Sequence, residues 1–324
     1  MNVLYILGNG FDKAQKMKTG YPEFYQYLLE NTDDDSPLLQ QMKEEIKKDI
    51  DEGKNLWSDM EWAFGNFTEK MEKASELEDL HYEVSHHLQT YLKEQNKSFT
   101  PNSNQMNNFI NDFLNPGKYI HATDDDRYKK YVGSISGGMY INVMSLNYTD
   151  TLEKLLGLKP TETKRIYNGS TQLMNICHVH GRLDGTIIFG VDNVEQIKNT
   201  AFRTEDVIKY FMVKEDSNLA MKNTRHTICE NFIKDANLII LFGVSIGETD
   251  IRWWKLIGNE MKKRKNVSIV DFVFCPNEVP SDRLYRMAIV ENKCKKNLLR
   301  KMGVTEDGIS DRLFFVINSS IFSI

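Results

Sequence analysis

At 324 residues, with 40% hydrophobic and 27% charged, the chain suits one large soluble α/β domain, or one domain carrying an insertion. Its formal net charge of −5 offers nucleic acid no general attraction, so no nucleic-acid partner is expected. The four cysteines, Cys177, Cys229, Cys275 and Cys294, are scattered without a CxxC pair, which argues against both a disulfide framework and a zinc ribbon.

In chain order, Val3–Leu7 is a short apolar run with no basic stretch before it. It is too short for a signal peptide or a membrane span, and is read as a buried strand of a cytoplasmic protein without membrane contact. From about Tyr21 to Tyr131 the pattern is helical throughout: Tyr21–Leu29, Pro37–Ile50, Trp57–Lys73, Leu77–Gln95 and Gln105–Phe113. The acidic runs Asp33–Asp35 and Asp124–Asp126 near its ends read as solvated loops. Five further continuous apolar runs then read as strands buried on both faces: Tyr140–Leu146, Asn175–His180, Leu238–Phe242, Val267–Phe274 and Arg312–Ile317. Amphipathic patterns separate most of them, notably Ser217–Asp235, Glu248–Arg264 and Asp282–Met302. The expected architecture is a Rossmann-like, doubly wound, mostly parallel six-stranded sheet formed by residues 1–20 and 132–324, with an all-helical insertion over residues 21–131.

Four motifs fall at the carboxyl ends of predicted strands, where open parallel sheets bind ligands. The first is Gly8-Asn9-Gly10-Phe11-Asp12, a glycine turn that can approach a pyrophosphate closely, although Lys13 stands where the dinucleotide fingerprint has its third glycine. The second is Ser145-Leu146-Asn147-Tyr148-Thr149-Asp150. Asn147 can hold a ribose hydroxyl or a water there, while Thr149 or Asp150 can cap the next helix. The third is Cys177-His178-Val179-His180-Gly181, whose histidines share one face of a strand. His180 is a natural general base there, and His178 a structural histidine. A metal shared by the pair lacks a third ligand at familiar spacing, and no metal is expected. The fourth is Gly243-Val244-Ser245-Ile246-Gly247, literally a nucleophile elbow. The last histidine is His226, so the hydrolase reading lacks its base, and Ser245 reads as a ribose or phosphate contact. Asp250 either caps the following helix or stays near the site.

The ordered motifs GNGFD, LNYTD, HVHG and FGVSIGETD span most of the chain and resemble the bacterial abortive-infection AbiH family. That family in turn resembles the sirtuin-like NAD-binding fold. The resemblance implies that Gly8 and Gly10 cradle the NAD pyrophosphate and that Asn147 and Asp150 serve the nicotinamide-ribose side. It also implies that His180, paired with Gly181, is the base and that Gly243 and Ser245 hold the adenosine part. Gly20-Tyr21-Pro22-Glu23-Phe24 is similar to a further sirtuin segment, but Tyr25 replaces the arginine that follows it there. The four-cysteine zinc module is missing, so hydrolysis of NAD fits better than deacetylation.

The expectation is an anti-phage abortive-infection effector that binds NAD as its substrate and releases nicotinamide. Asn147 and His180 would be catalytic; Gly8, Asn9, Gly10, Phe11, Asp12, Tyr148, Asp150, Gly181, Gly243, Ser245 and Gly247 would bind the nucleotide. The insertion, with Trp57, Trp62 and its tyrosines, is a candidate for homo-oligomer contacts or for sensing a phage-derived trigger. Two other readings stand beside this one. The first is a non-catalytic nucleotide-binding sensor; the second is a metal-dependent nuclease using Glu61, Asp12 and Asp150.

Overall fold

A computed structural model describes residues 1–31, 35–159, 162–280 and 282–322. The first strand, β1 (Asn2–Leu7), is buried on both faces, as its unbroken apolar run requires. It feeds a single helical turn, α1 (Gly10–Ala14), and then six helices: α2 (Tyr21–Glu30), α3 (Pro37–Asp51), α4 (Met60–Phe67), α5 (Ala74–Ser98), α6 (Ser103–Leu114) and α7 (Ala122–Gly133). Local chemistry sets where they start. Ser36 accepts from Leu39 N at the head of α3, Asp59 from Trp62 N at the head of α4, and Asn102 and Gln105 cap α6 reciprocally.

The chain continues through β2 (Met139–Ser145), α8 (Thr151–Leu156), β3 (Arg165–Asn168) and β4 (Thr171–His178). The short helices α9 (Asp206–Met212) and α10 (Lys214–Ala220) follow, then α11 (Arg225–Asp235) and β5 (Leu238–Phe242). Helix α12 (Ile251–Lys263), β6 (Ser268–Val273), α13 (Arg286–Met302) and β7 (Leu313–Ile317) complete the fold. No helix is long and apolar enough to cross a membrane among the described residues.

The strands form one sheet in the order β3-β4-β2-β1-β5-β6-β7, parallel except for the β3–β4 pair. The sheet therefore has seven strands rather than six. The additional strand, β3, is a four-residue edge strand whose Ile166 is 69% exposed, so no buried apolar run announces it. Three further expectations are corrected. The Ser217–Asp235 pattern is broken at 221–224 into α10 and α11, and Trp57 precedes α4 instead of lying within it. Asp124–Asp126 is not a loop but the first turn of α7, where acidic side chains complement the helix dipole and pair with Arg127 and Lys129. In the other acidic run, Asp33 and Asp34 lie outside the described residues, while Asp35 is buried against Lys43.

Alternation along the strands divides the interior. Val3, Tyr5, Leu7, Ile141, Val143 and Ile240 face a core shared with Phe109 and Phe113 of α6 and Tyr128 of α7. Leu4, Ile6, Ile239 and Leu241 face the opposite core, built with α11, α12 and α13. A third core joins α2–α5 to residues 183–213, beyond the carboxyl end of β4. Trp57 belongs to this third core, edge-on to Tyr25, whereas Trp62 is 38% exposed.

Asp271 sits inside β6, 5% exposed, and burial pushes its carboxyl up to about 7. A folded pKa raised above the unfolded value gives stability that is complete below about pH 4 and is lost as pH rises through 7. Asp271→Asn is therefore expected to outlast the parent in urea at pH 8 by on the order of 4 kcal/mol. That difference should shrink towards pH 4; equal midpoints at pH 8 would refute a buried titrating carboxyl.

Candidate functional site

The four motif-bearing strands are adjacent in the order β4-β2-β1-β5, parallel, and open their loops at one edge of the sheet. The β1 and β5 loops are locked together. Gly8 N donates to Phe242 O at 3.1 Å and Gly10 N to Gly243 O at 2.8 Å, while Phe11 N turns back to Gly8 O at 2.8 Å. Gly243 has φ +66°, and a Cβ there would lie 2.4 Å from Phe11 N. Cβ atoms on Gly8 or Gly10 would meet the Gly243 backbone at 2.6 and 2.5 Å. These three glycines are thus explained by loop-on-loop packing, and three amides expected to face a pyrophosphate already donate within the protein. Gly243→Ala should lower stability by about 1–3 kcal/mol, read as a drop in urea midpoint, since it adds both strain and overlap. An unchanged midpoint would show that the loops part easily. Outside this contact Asn9 and Ser245 are exposed, and Asn9 is held by Thr19 through both ends of its amide.

The β2 loop is tied in beneath. Asn147, 7% exposed, donates from Nδ2 to Gly8 O at 3.1 Å. Asp12 accepts from Thr149 at 2.7 Å, and burial, outweighing that bond, pushes its carboxyl up to about 6. Neither Thr149 nor Asp150 caps α8 with its side chain: Thr149 donates to Asp12, and Asp150, at the N-cap position, pairs with Lys154 at 3.0 Å. Tyr148 donates its hydroxyl to Ile188 O at 3.0 Å.

The two histidines part company, because β4 ends at His178 and the chain turns before His180. His178 lies between Asn147 O at 2.8 Å and Glu153 Oε1 at 2.9 Å, and Glu153 also takes Arg182 at 2.6 Å. Burial opposes its charge, but the Glu153 bond and charge prevail and raise its pKa. Flanked by two acceptors, it is a structural imidazolium. His180, 3% exposed, is held instead from Nε2 by Asp250 Oδ1 at 3.1 Å, and its Nδ1 has no partner among the described residues. Burial and the nearby Lys214 lower its pKa, so it is neutral at pH 7. With Nε2–H donated to the carboxylate, Nδ1 carries the lone pair. Gly181 then reverses the chain at φ +88°, where a Cβ would lie 2.2 Å from Thr186 O.

Asp250 stands at the N-cap position of α12 without capping it; its side chain serves His180 and Lys214. Lys214 Nζ reaches Glu61 Oε2 at 2.7 Å, Thr249 O at 3.0 Å and Asp250 Oδ1 at 3.2 Å. Burial disfavours each charge in this group. The ammonium nevertheless holds Asp250 down to about 2, while Glu61, facing Asp250 and Asp59 as well, is pushed up to about 7. One buried cation thus serves two carboxylates. Asp59 also reaches Thr249 Oγ1 at 3.3 Å, so α4 and its cap lie over the β5 loop. Sequence reasoning missed Lys214 entirely and named Glu61 only as a metal ligand. Glu61, Asp12 and Asp150 do not converge; each has its own partner. Among the described residues, the one group spaced to share an ion is Asp35, Glu83 and His87.

The family model described as bacteriophage abortive infection AbiH matches residues 4–272, which include all four motif loops. No curated protein matches the chain.

Proposed function

Because the chain belongs to the bacteriophage abortive infection AbiH family, we propose that it is an anti-phage effector that binds NAD and hydrolyses its nicotinamide–ribose bond. The observation that carries the chemistry is His180, a neutral imidazole oriented by an ionised carboxylate with a free, buried lone pair on Nδ1. That is the state a general base requires before the reaction. Water attacks the anomeric carbon of the ribose as the glycosidic bond breaks. Nicotinamide departs with the bonding pair, and the water's proton passes to His180 Nδ1. Asp250 stabilises the resulting imidazolium, as the carboxylate of a catalytic dyad does.

The strand order supports a dinucleotide as the substrate. Leaving aside the antiparallel β3, the parallel strands run β4-β2-β1-β5-β6-β7, the 3-2-1-4-5-6 order of Rossmann-type sheets. These sheets, like the sirtuin-like fold that the motifs resemble, bind nucleotides where the order reverses, here at β1 and its neighbours. Since the inner amides of the glycine loop are used, the phosphates meet its outer side, near the exposed Asn9 and Ser245. Asn147, fixed between Gly8 and His178, orients a ribose hydroxyl, and loss of NAD would arrest the infected host.

Purified protein should release nicotinamide from NAD in the presence of EDTA, and the His180→Ala variant should not. Release abolished by EDTA would replace this mechanism with a metal-dependent one. No release, together with no rise in Tm on adding NAD, would remove NAD as the ligand.

A further inference from the structure

We propose that Asn218, Arg225 and His226 form, with His180, the binding site of the hydrolytic water. This inference rests on the hydrolytic reading of the site. Four buried side-chain atoms around the end of β4 lack a hydrogen-bond partner among the described residues: His180 Nδ1, Asn218 Oδ1, Arg225 Nη1 and His226 Nε2. Asn218, His180 and His226 are only 1%, 3% and 7% exposed. Buried polar atoms are paired in the great majority of native structures, and one left alone destabilises the fold. Four of them around one turn call for a shared partner.

They come from the turn at residues 179–181 itself and from two helices beside it, α10 and α11. Asn218, on α10, donates Nδ2 to Val179 O at 3.4 Å and to Lys214 O at 2.9 Å, which fixes its amide and leaves Oδ1 as the acceptor. Arg225 begins α11, and its Nη1 lies 3.3 Å from where a Cβ on Gly181 would stand. His226 accepts from Arg252 at Nδ1, 3.0 Å away, so its proton is on Nε2. Its ring is fixed edge-on to Trp253. The charges of Arg225 and His226 each act directly on or with His180.

The four atoms therefore comprise two acceptors, on His180 and Asn218, and two donors, on Arg225 and His226. A cation is disfavoured by the guanidinium and the imidazole N–H. An anion is disfavoured by the lone pair and the amide oxygen. A single water supplies two donors and two acceptors, which is the complement required, and buried waters commonly make two to four such bonds. In this position it gives one proton to His180 Nδ1, the proton that the proposed hydrolysis removes. Asn218, Arg225 and His226 are positioning residues, acting on the water through its remaining bonds.

Two measurements test this on the full chain. A crystal structure fine enough to show ordered water should place one within hydrogen-bond distance of all four atoms. Protein partners for those atoms would overturn the site, whether or not the chain cleaves NAD. In nicotinamide release, His226→Phe keeps a ring against Trp253 but loses the donor, and should lower kcat 10-fold or more with KM unchanged. His226→Gln restores an N–H donor and should recover most of that loss. A primary amide such as that of nicotinamide offers the same complement; His226→Phe would then raise KM and spare kcat, which would overturn the assignment to water. If the unaltered protein releases no nicotinamide, the hydrolytic reading fails, and the crystal structure alone decides the water site.

Discussion

His180→Ala is expected to lower kcat for nicotinamide release by about 10²–10⁴-fold, the usual worth of a positioned general base, with the far-UV circular dichroism unchanged. Asp250→Asn should cost about 10³–10⁴-fold, since an amide neither fixes the Nε2–H tautomer as firmly nor stabilises the imidazolium. Both residues lie within one buried group, so loss of activity alone would not separate chemistry from structure. The pH profile does. Burial and Lys214 hold the pKa of His180 below its ordinary 6.5, and Asp250 works against them. The acid limb of kcat should therefore fall below pH 6.5, because activity is lost only when the free imidazole is protonated. Asp250→Asn removes the charge that favours the imidazolium, and should move that limb to still lower pH. Folded variants with full activity, or a limb that moves upward in Asp250→Asn, would end the assignment of His180 as base.

Much of this arrangement is legible in the residues, for a physical reason. A parallel strand buried on both faces must be continuously apolar, so β1, β2, β5, β6 and β7 announce themselves, and the loops at their carboxyl ends can be placed before any coordinates exist. The alternation argument fails where the strand stops. It put His178 and His180 on one face, but β4 ends at His178 and the turn that begins there sends the second ring elsewhere. Nor does spacing reveal contacts made across the fold. Glu61 and Lys214 meet from positions 153 residues apart, and neither stands in a motif of its own. The glycines show the reverse limit. Gly8 and Gly10 read as a phosphate cradle and Gly243 as a contact to the adenosine part, yet most of what they do is let two loops pass within contact of each other.

Removing the ammonium at the centre of the group should have the largest effect on stability. Lys214→Met leaves the carboxylates of Glu61 and Asp250 buried without their shared cation, and breaking a buried pair in this way costs about 3–5 kcal/mol. The cost depends on pH, and its sign follows from the carboxyl groups. Glu61 is already pushed up to about 7, above its unfolded value, so its contribution to stability is complete in acid and is lost as pH rises. Without Lys214 both carboxyls rise further. The loss in urea midpoint should then be smaller near pH 5, where the Asp250 pairing is still forfeited, than at pH 8, where both carboxyls would be buried ionised. Lys214→Met/Glu61→Leu should recover part of it, because an apolar replacement for both members of a buried pair is often tolerated. The same substitution has a kinetic signature opposite to that of Asp250→Asn. Lys214 lowers the pKa of His180, so its removal should carry the acid limb of kcat to higher pH. Acid limbs moving in opposite directions in the two variants would tie the buried charge group to the state of His180. A Lys214→Met variant as stable at pH 8 as the parent would mean that water, rather than the ammonium, solvates Glu61 and Asp250.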